Sequence, residues 1–583
     1  MTSVGNSSKG RVKISPDLFS INNLEHYVEI KYGLLQDLPF EQARERKQRL
    51  ALKRPEFDKN LHHDQRREIR DCRRYLAIAA MDMIYGNYQK ALEELDRAER
   101  GYRKLYTQEH ITRLEISSFR ALLLALNSKP SEAEGLCRRT IKMLSEEKGY
   151  EHPLTLVTTS IMVIILLNLW HFVSAMNMAT SLIRRTKGAL GDNNGLTLHC
   201  KVQLAGVKYY SGDYSGAEAD LEPIMPALEN SLTSDHPDLF QYQCFLAKIY
   251  IKRGRIEAAE RRLVPALEMK LQEYYRHWML RGTRQSIEGT GIPQYKLVDF
   301  LNTFVRDPKA AFLGQKPHPQ FLDVLTAQAD IVFRRSAKDF AISILRAIWV
   351  QEKAQLGNTH LVTAATLGRL AIVTSETQKD YGVCIGAREQ LEEAAKVVKE
   401  ILGKTHVSTL CVRREELRLG YKIKSLVNPG PWGENEEKDP IYFKGRDVYA
   451  ESQYIYDSHK SHLGRYHIET IQSLLWLFKI RLSKSLDEQT KAIANELLIC
   501  LRSPWERGNR SIQSLSQEGF VAFTFYQFGH YPTAEEVSTQ ILHAIDDSLA
   551  MGNQEMRNTL EKMRRQNLDF VNYLREQLEG KGS

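Results

Sequence analysis

Cysteine is scarce in this chain: seven residues in 583, at Cys72, Cys137, Cys200, Cys244, Cys384, Cys411 and Cys500, with no C-x-x-C pair among them. That pattern excludes a disulfide-stapled scaffold, a zinc-finger framework and a dithiol redox pair, and it fits a reducing compartment. No G-x-x-x-x-G-K-[ST] and no H-E-x-x-H occurs, so P-loop nucleotide chemistry and helical zinc-protease chemistry have no sequence support. No apolar run approaches the roughly 18 to 20 residues of a membrane span. The candidate stretch, Ile161 to Trp170, is interrupted by Asn168 and followed by His171; its length points to a buried core helix. Residues 1–15 lack the apolar segment of a signal peptide and are expected to form a disordered tail.

What remains is a composition typical of a globular protein, 42% hydrophobic and 26% charged, with a net charge of +9. The charge is uneven: Glu41 to Arg74 holds 12 Lys/Arg against 7 Asp/Glu. Such a stretch could attract an acidic surface, but Glu45, Asp58, Asp64, Glu68 and Asp71 interrupt it, so a solvated helix face is expected. Tyr442, Phe443, Tyr449, Tyr454 and Tyr456, beside Lys444 and Arg446, are a second weak nucleic-acid signal; Asp447, Glu451 and Asp457 again dilute it. Gly289-Thr290-Gly291 reads as a turn, and His62-His63 as loop histidines.

The strongest signal is a period. His110-Ile111, His152-Pro153, Asn194-Gly195 and His236-Pro237 recur every 42 residues, as do Ala91, Ala133, Ala175, Ala217 and Ala259. The register continues through His318, Ala341, His360, His406 and His467, with a degenerate unit near 275–315 and a Pro/Gly/acid linker at 428–440. Within a unit, Leu239, Tyr242, Leu246 and Ile249 form one helical stripe, Gly254 stops that helix, and Ala258 and Ala259 lie on a second helix made for close approach. A lone helix pair cannot bury its apolar face, so neighbours must stack. The recurrent histidines occupy one inter-repeat turn, about a repeat width apart, which is too far to share a metal. The expected fold is an all-α solenoid of antiparallel helix pairs.

Leu246-Ala247, Gly254-Arg255 and Ala258-Ala259-Glu260, with Leu204-Ala205, Gly212-Asp213-Tyr214 and Ala217-Glu218 one unit earlier, resemble the tetratricopeptide repeat of the kinesin-light-chain type. The resemblance implies a concave groove, lined by the first helix of each unit, that holds a peptide or partner helix. It carries the groove positions onto Asn168, His199, Tyr209, Tyr210, Gln241, Lys248, Lys252 and Arg334. The asparagines that hold peptide backbone in that family are replaced here by Phe119, Gln203, Phe245 and Arg369, so the resemblance does not extend to cargo-adaptor activity.

These readings lead to one expectation of organisation and function. Residues 16–70 form a basic helical segment, 71–427 the main solenoid, 441–545 further repeats and 546–583 a final helix and tail. The linker could separate two binding arms. The protein is expected to be a non-catalytic scaffold or adaptor of the cytoplasm or nucleus, with no cofactor, metal or membrane partner. It would hold a protein or peptide partner, attracted by Lys248 and Lys252 if that partner is acidic. An accessory or regulatory subunit of a metabolic or biosynthetic pathway, a nucleic-acid binder using 41–74, and a helical-repeat enzyme remain as alternatives.

Overall fold

The computed structural model describes residues 63–84, 87–231, 237–282, 296–312, 317–427, 447–482, 487–501, 512–527, 529–550 and 554–579. The tail 1–15, residues 41–62 of the basic stretch, His236, Gly289 to Gly291, the linker 428–440 and the Tyr442-to-Arg446 cluster lie outside the described residues. Those described are helical, with no strand among them.

Among the described residues, ten helix pairs follow one another. Unit 1 is His63–Ile84 with Tyr88–Leu105, unit 2 is Ile111–Leu126 with Pro130–Lys148, and unit 3 is Pro153–Asn168 with Phe172–Leu190. Unit 4 is Gly195–Tyr210 with Tyr214–Leu221, and unit 5 is Pro237–Lys252 with Ile256–Gly282. After the short helices Leu297–Arg306 and Pro308–Ala311 comes unit 6, Pro319–Arg334 with Lys338–Leu356. Unit 7 is Leu361–Thr377 with Tyr381–Leu402, unit 8 is Val407–Val427 with Val448–Leu463, and unit 9 is Ile468–Leu482 with Glu488–Leu501. Unit 10, Ile512–Gln527 with Tyr531–Ala550, is followed by a last helix, Gln554–Glu579. The two helices of unit 8 pack on each other. Residues 428–446 therefore connect the halves of one unit rather than two independent arms.

Local chemistry explains each boundary. Ala91, Ala133, Ala175, Ala217, Ala259 and Ala341 are all fully buried, because a larger side chain would push the second helix off the first. The first helices begin at side-chain caps: Nδ1 of His110, His152, His360 and His406 accepts from the amides of Thr112, Leu154, Val362 and Ser408 at 3.2 to 3.3 Å. Asn194 does the same for Leu196 at 2.9 Å. Second helices end at Gly149, Gly191, Gly403 and Gly464, with φ between 84° and 93°, a region open to glycine alone. Their carbonyls accept from Thr155, Thr197, Thr409 and Thr470, at 3.0 Å for the first and 2.8 Å for the others. The inter-repeat turn is thus Gly-x-x-(His/Asn)-x-x-Thr, a fixed corner built of three side-chain choices.

Ile161 to Leu166 is the buried core helix expected of it, and no described helix is long and apolar enough to cross a membrane. The degenerate region contains an aromatic plug: Phe300, Phe304 and Phe312 are fully buried and meet edge-to-face at 5.5 and 5.6 Å, with Phe321 of unit 6 at 5.8 Å from Phe312. Edge-to-face rings close the gap where a regular pair is lost.

The solenoid also folds back along its own axis. His360, before unit 7, has its Nε2 3.1 Å from the carbonyl oxygen of Leu126, at the end of the first helix of unit 2. His467, before unit 9, is placed likewise on Tyr210 of unit 4, also at 3.1 Å. His318 bonds to the backbone of Met83 in unit 1. His406 faces the carbonyl of Leu169 beside unit 3, although its Nε2 lacks a partner in good hydrogen-bond geometry. Each pairing joins unit n to unit n+5. The Leu361 amide donates to Ser128 Oγ at 3.0 Å, the His467 ring stacks on Phe172 at 5.5 Å, and Gly212 abuts Ile468. Five units complete one superhelical turn, and the second turn sits on the first along a seam of histidines. Because Nδ1 caps a helix, Nε2 carries the proton and donates across the seam.

Candidate functional site

First helices line the inner wall, and polar bonds join each to the next. Ser118 of unit 2 meets Thr158 of unit 3 at 2.8 Å, and Ser160 of unit 3 meets Gln203 of unit 4 at 2.9 Å. His199 of unit 4 meets the Tyr242 hydroxyl of unit 5, also at 2.8 Å. Lys248 of unit 5 pairs with Asp323 of unit 6, and Asp330 of unit 6 with Arg369 of unit 7. Lys422 of unit 8 donates to the Gln378 carbonyl at 2.9 Å, and Arg414 of unit 8 pairs with Glu469 of unit 9 at 2.8 Å. Burial of these charged members is tolerated because each of them has a partner.

This wall sorts the eight expected groove residues. Lys248 is committed to Asp323; against the downward pull of burial, Asp323 and Tyr210 hold its ammonium in the charged form. It is therefore not the free cation expected from the sequence. His199 is held by Tyr242, and Gln241 also makes an interaction of its own. Tyr209 packs edge-on against Tyr210, Tyr214 and Phe245 at 5.2 to 5.4 Å, as a wall component rather than a ligand contact. The four positions that replace the family asparagines are likewise occupied: Gln203 by Ser160, Arg369 by Asp330, and Phe119 and Phe245 by packing against the cores.

Asn168, Tyr210, Lys252 and Arg334 are different. All four are exposed, and none makes a side-chain hydrogen bond or ion pair among the described residues. Tyr210 exposes 52% of its surface; burial pushes its hydroxyl pKa up, with Asp323 adding to the effect and Lys248 opposing it. Burial and then the neighbouring Arg369 push the Lys252 pKa down, with Arg334 adding to the effect and Asp330 and Glu469 opposing it. Four charged groups from units 6, 7 and 9 thus act on Lys252. Glu469 reaches this cluster from the second superhelical turn. Against the upward pull of burial, Arg414 and the Cys411 thiol hold its carboxyl down to about 2, so its charge is already matched. Asp330 is paired with Arg369 and Glu469 with Arg414, whereas Lys252 and Arg334 make no ion pair among the described residues; Tyr210 lies instead by Lys248 and Asp323. Asn168, at the end of the first helix of unit 3, belongs to none of these pairs.

The only catalysis-like cluster among the described residues is Cys411, His459 and Glu469. The thiol donates to Glu469 Oε2 at 3.2 Å, with His459 Nε2 at 3.8 Å. Burial and Glu469 push the thiol pKa well up, while burial and Arg414 lower His459 to about 4. A protonated thiol beside a neutral imidazole that bonds Ser473 at 2.8 Å is a structural joint, since a nucleophile needs the thiolate. No group of His, Cys, Asp or Glu among the described residues could hold a metal ion.

No protein-family model and no curated protein matches the sequence. Solved structures similar to the chain are helical repeats. They include a Rap protein complexed with competence and sporulation factor, at 12% identity over 71% of this chain and 100% of that one, TM-score 0.31. A human IFIT1 dimer with PPP-AAAA matches at 13% identity over 91% and 100%, TM-score 0.35. A circular tandem repeat protein with novel repeat topology matches at 12% identity over 98% and 100%, TM-score 0.16. At those scores the likeness carries no argument about partner or site. The chain's own helix pairs establish the fold: it is an all-α solenoid of antiparallel helix pairs.

Proposed function

We propose that this protein is a non-catalytic scaffold that holds a carboxylate-bearing segment of a partner protein within its superhelix. The observation that carries this reading is the pair of exposed cations Lys252 and Arg334, which act on each other from units 5 and 6 and make no ion pair among the described residues. Arg334 offers a planar fork for a carboxylate and Lys252 a point charge. The kinesin-light-chain-like variety of the repeat is part of the proposal, supported by the Gly-x-x-(His/Asn)-x-x-Thr turns.

The test compares the tagged full chain with Lys252→Glu/Arg334→Glu. Partners co-purifying from native cells are identified, and their acidic segments are titrated as labelled peptides. Reversing both charges should weaken peptide binding by at least about tenfold, or about 1.4 kcal/mol, while Lys248→Gln has a smaller effect on binding. Equal affinity for the double variant would overturn the assignment of the site. Capture that depends on added RNA would favour the nucleic-acid alternative instead.

A further inference from the structure

Lys252 and Arg334 end two first helices that pack on each other, Pro237–Lys252 of unit 5 and Pro319–Arg334 of unit 6. The charges around them have partners of their own. One helical turn before Lys252, Lys248 pairs with Asp323; one turn before Arg334, Asp330 pairs with Arg369. Glu469 comes across from unit 9 but pairs with Arg414 at 2.8 Å. Glu376, at the position of unit 7 equivalent to Arg334, lies by Arg418, Glu415, Arg369 and Lys422. Lys252 and Arg334 are exposed, make no ion pair among the described residues, and act on each other as like charges.

Two cations that repel each other favour a ligand able to meet both at once. A single carboxylate brings one negative charge and two oxygens in one plane. A phosphomonoester brings about 1.5 to 2 negative charges at neutral pH and three acceptor oxygens. One such group can take the planar fork of Arg334 and the point charge of Lys252 together. Two neighbouring acidic residues match the charge only by fixing two flexible side chains in place of one. Both cations stand on first helices, which line the inner wall, so the anion reaches them on an extended chain rather than from the face of a bilayer. Glu376 and Glu469 stand near by, and a polypeptide carrying one phosphate meets them with less repulsion than a nucleic acid carrying one at every residue.

We infer that the partner segment held at Lys252 and Arg334 is under phosphorylation control: a phosphoserine or phosphothreonine in it bridges the two cations and strengthens capture, and its hydrolysis weakens the hold. The inference rests on the site assigned under the proposed function and adds the chemical group that regulates it. An unphosphorylated acidic segment uses the same two cations with one charge fewer.

The test measures retention by the full chain of peptide libraries that share random flanks and differ at the fixed centre: phosphoserine, glutamate, a pair of glutamates, or serine. At a pH of about 7.5 the phosphoserine library should be retained about tenfold more than the glutamate library. At a pH of about 5, below the second phosphate pKa of about 6, that ratio should fall toward one. Burial raises the pKa of Glu376, but its titration acts on both libraries alike, so the ratio isolates the phosphate. Lys252→Gln/Arg334→Gln should remove the phosphoserine preference with circular dichroism and elution volume as in wild type. Equal retention of the phosphoserine and glutamate libraries, both lost in the variant, would overturn phosphate control and leave the acidic-segment reading standing. Retention of neither library would overturn both readings, and a phosphoserine preference that survives in the variant would overturn the site. A 5′-phosphorylated oligonucleotide that displaces the phosphoserine library from the two cations would assign the phosphate to nucleic acid and overturn the proposal equally.

Discussion

Replacing His360 separates the two jobs of a seam histidine. The residue is 6% exposed; Nδ1 caps the first helix of unit 7 and Nε2 bonds the Leu126 carbonyl of unit 2. Alanine removes both. Loss of the cap costs about 1 kcal/mol, and a buried carbonyl left without its donor costs about 1–3 kcal/mol, so the sum is about 2–4 kcal/mol. Asparagine restores the cap but is too short to cross the seam, so His360→Asn retains only the second cost. His110→Ala, which loses a cap but no seam bond, should cost about 1 kcal/mol. Global melting is a poor readout, because repeat arrays need not unfold in one step. Native-state hydrogen exchange reads each helix separately. His360→Asn should speed exchange roughly 5- to 150-fold at the end of helix Ile111–Leu126, although that helix is unaltered and lies far away in sequence. Exchange there equal to wild type would refute the seam's energetic role.

Three further outcomes follow from the same contacts. Burial lowers the pKa of His318, to about 4, and of His360, His406 and His467. The unfolded chain then takes up protons that the fold refuses, so stability is full above pH 6.5 and declines as pH falls toward 4; urea midpoints across that window should show it. Burial raises Glu352 to about 8. Its contribution has the opposite sign, full below pH 4.5 and lost as pH rises through 8, and Glu352→Gln should flatten the alkaline side of the same curve. Glu218, with 9% of its side chain exposed, binds Arg253 at 2.7 Å and also Arg255 across the contact of units 4 and 5. Glu218→Ala should cost about 3 kcal/mol by denaturant titration, because two guanidinium groups lose their counter-charge.

The repeat was legible because it is local. Ala217 and Ala259 mark tight helix pairs, and His152 and Asn194 mark caps, each fixed by neighbours a few residues away. The glycine and threonine of the same turn, as in Gly403 and Thr409, carry an equally regular signal that the histidine ruler alone passed over. The seam could not be read in this way. His110 and His360 look alike in sequence and cap alike, yet only His360 meets a carbonyl from unit 2, because the superhelical pitch decides which turns meet. For the same reason Lys248 looked as free as Lys252. Asp323, which neutralises Lys248, lies beyond the degenerate region where the period breaks, while Lys252 extends one helical turn further, past its reach.

The central claim is that unit n+5 rests on unit n and thereby brings Glu469 of unit 9 to Lys252 and Arg334. A disulfide trap tests it most directly. Ser128→Cys with Leu361→Cys, the positions whose wild-type groups lie 3.0 Å apart, should cross-link quantitatively under mild oxidation and bind the partner as wild type does. Ser128→Cys with Val407→Cys, one unit out of register, should not, because a disulfide needs Cα atoms within about 7 Å. Failure of the first pair, or equal cross-linking of both, would contradict the five-unit register and the arrangement of charges built on it.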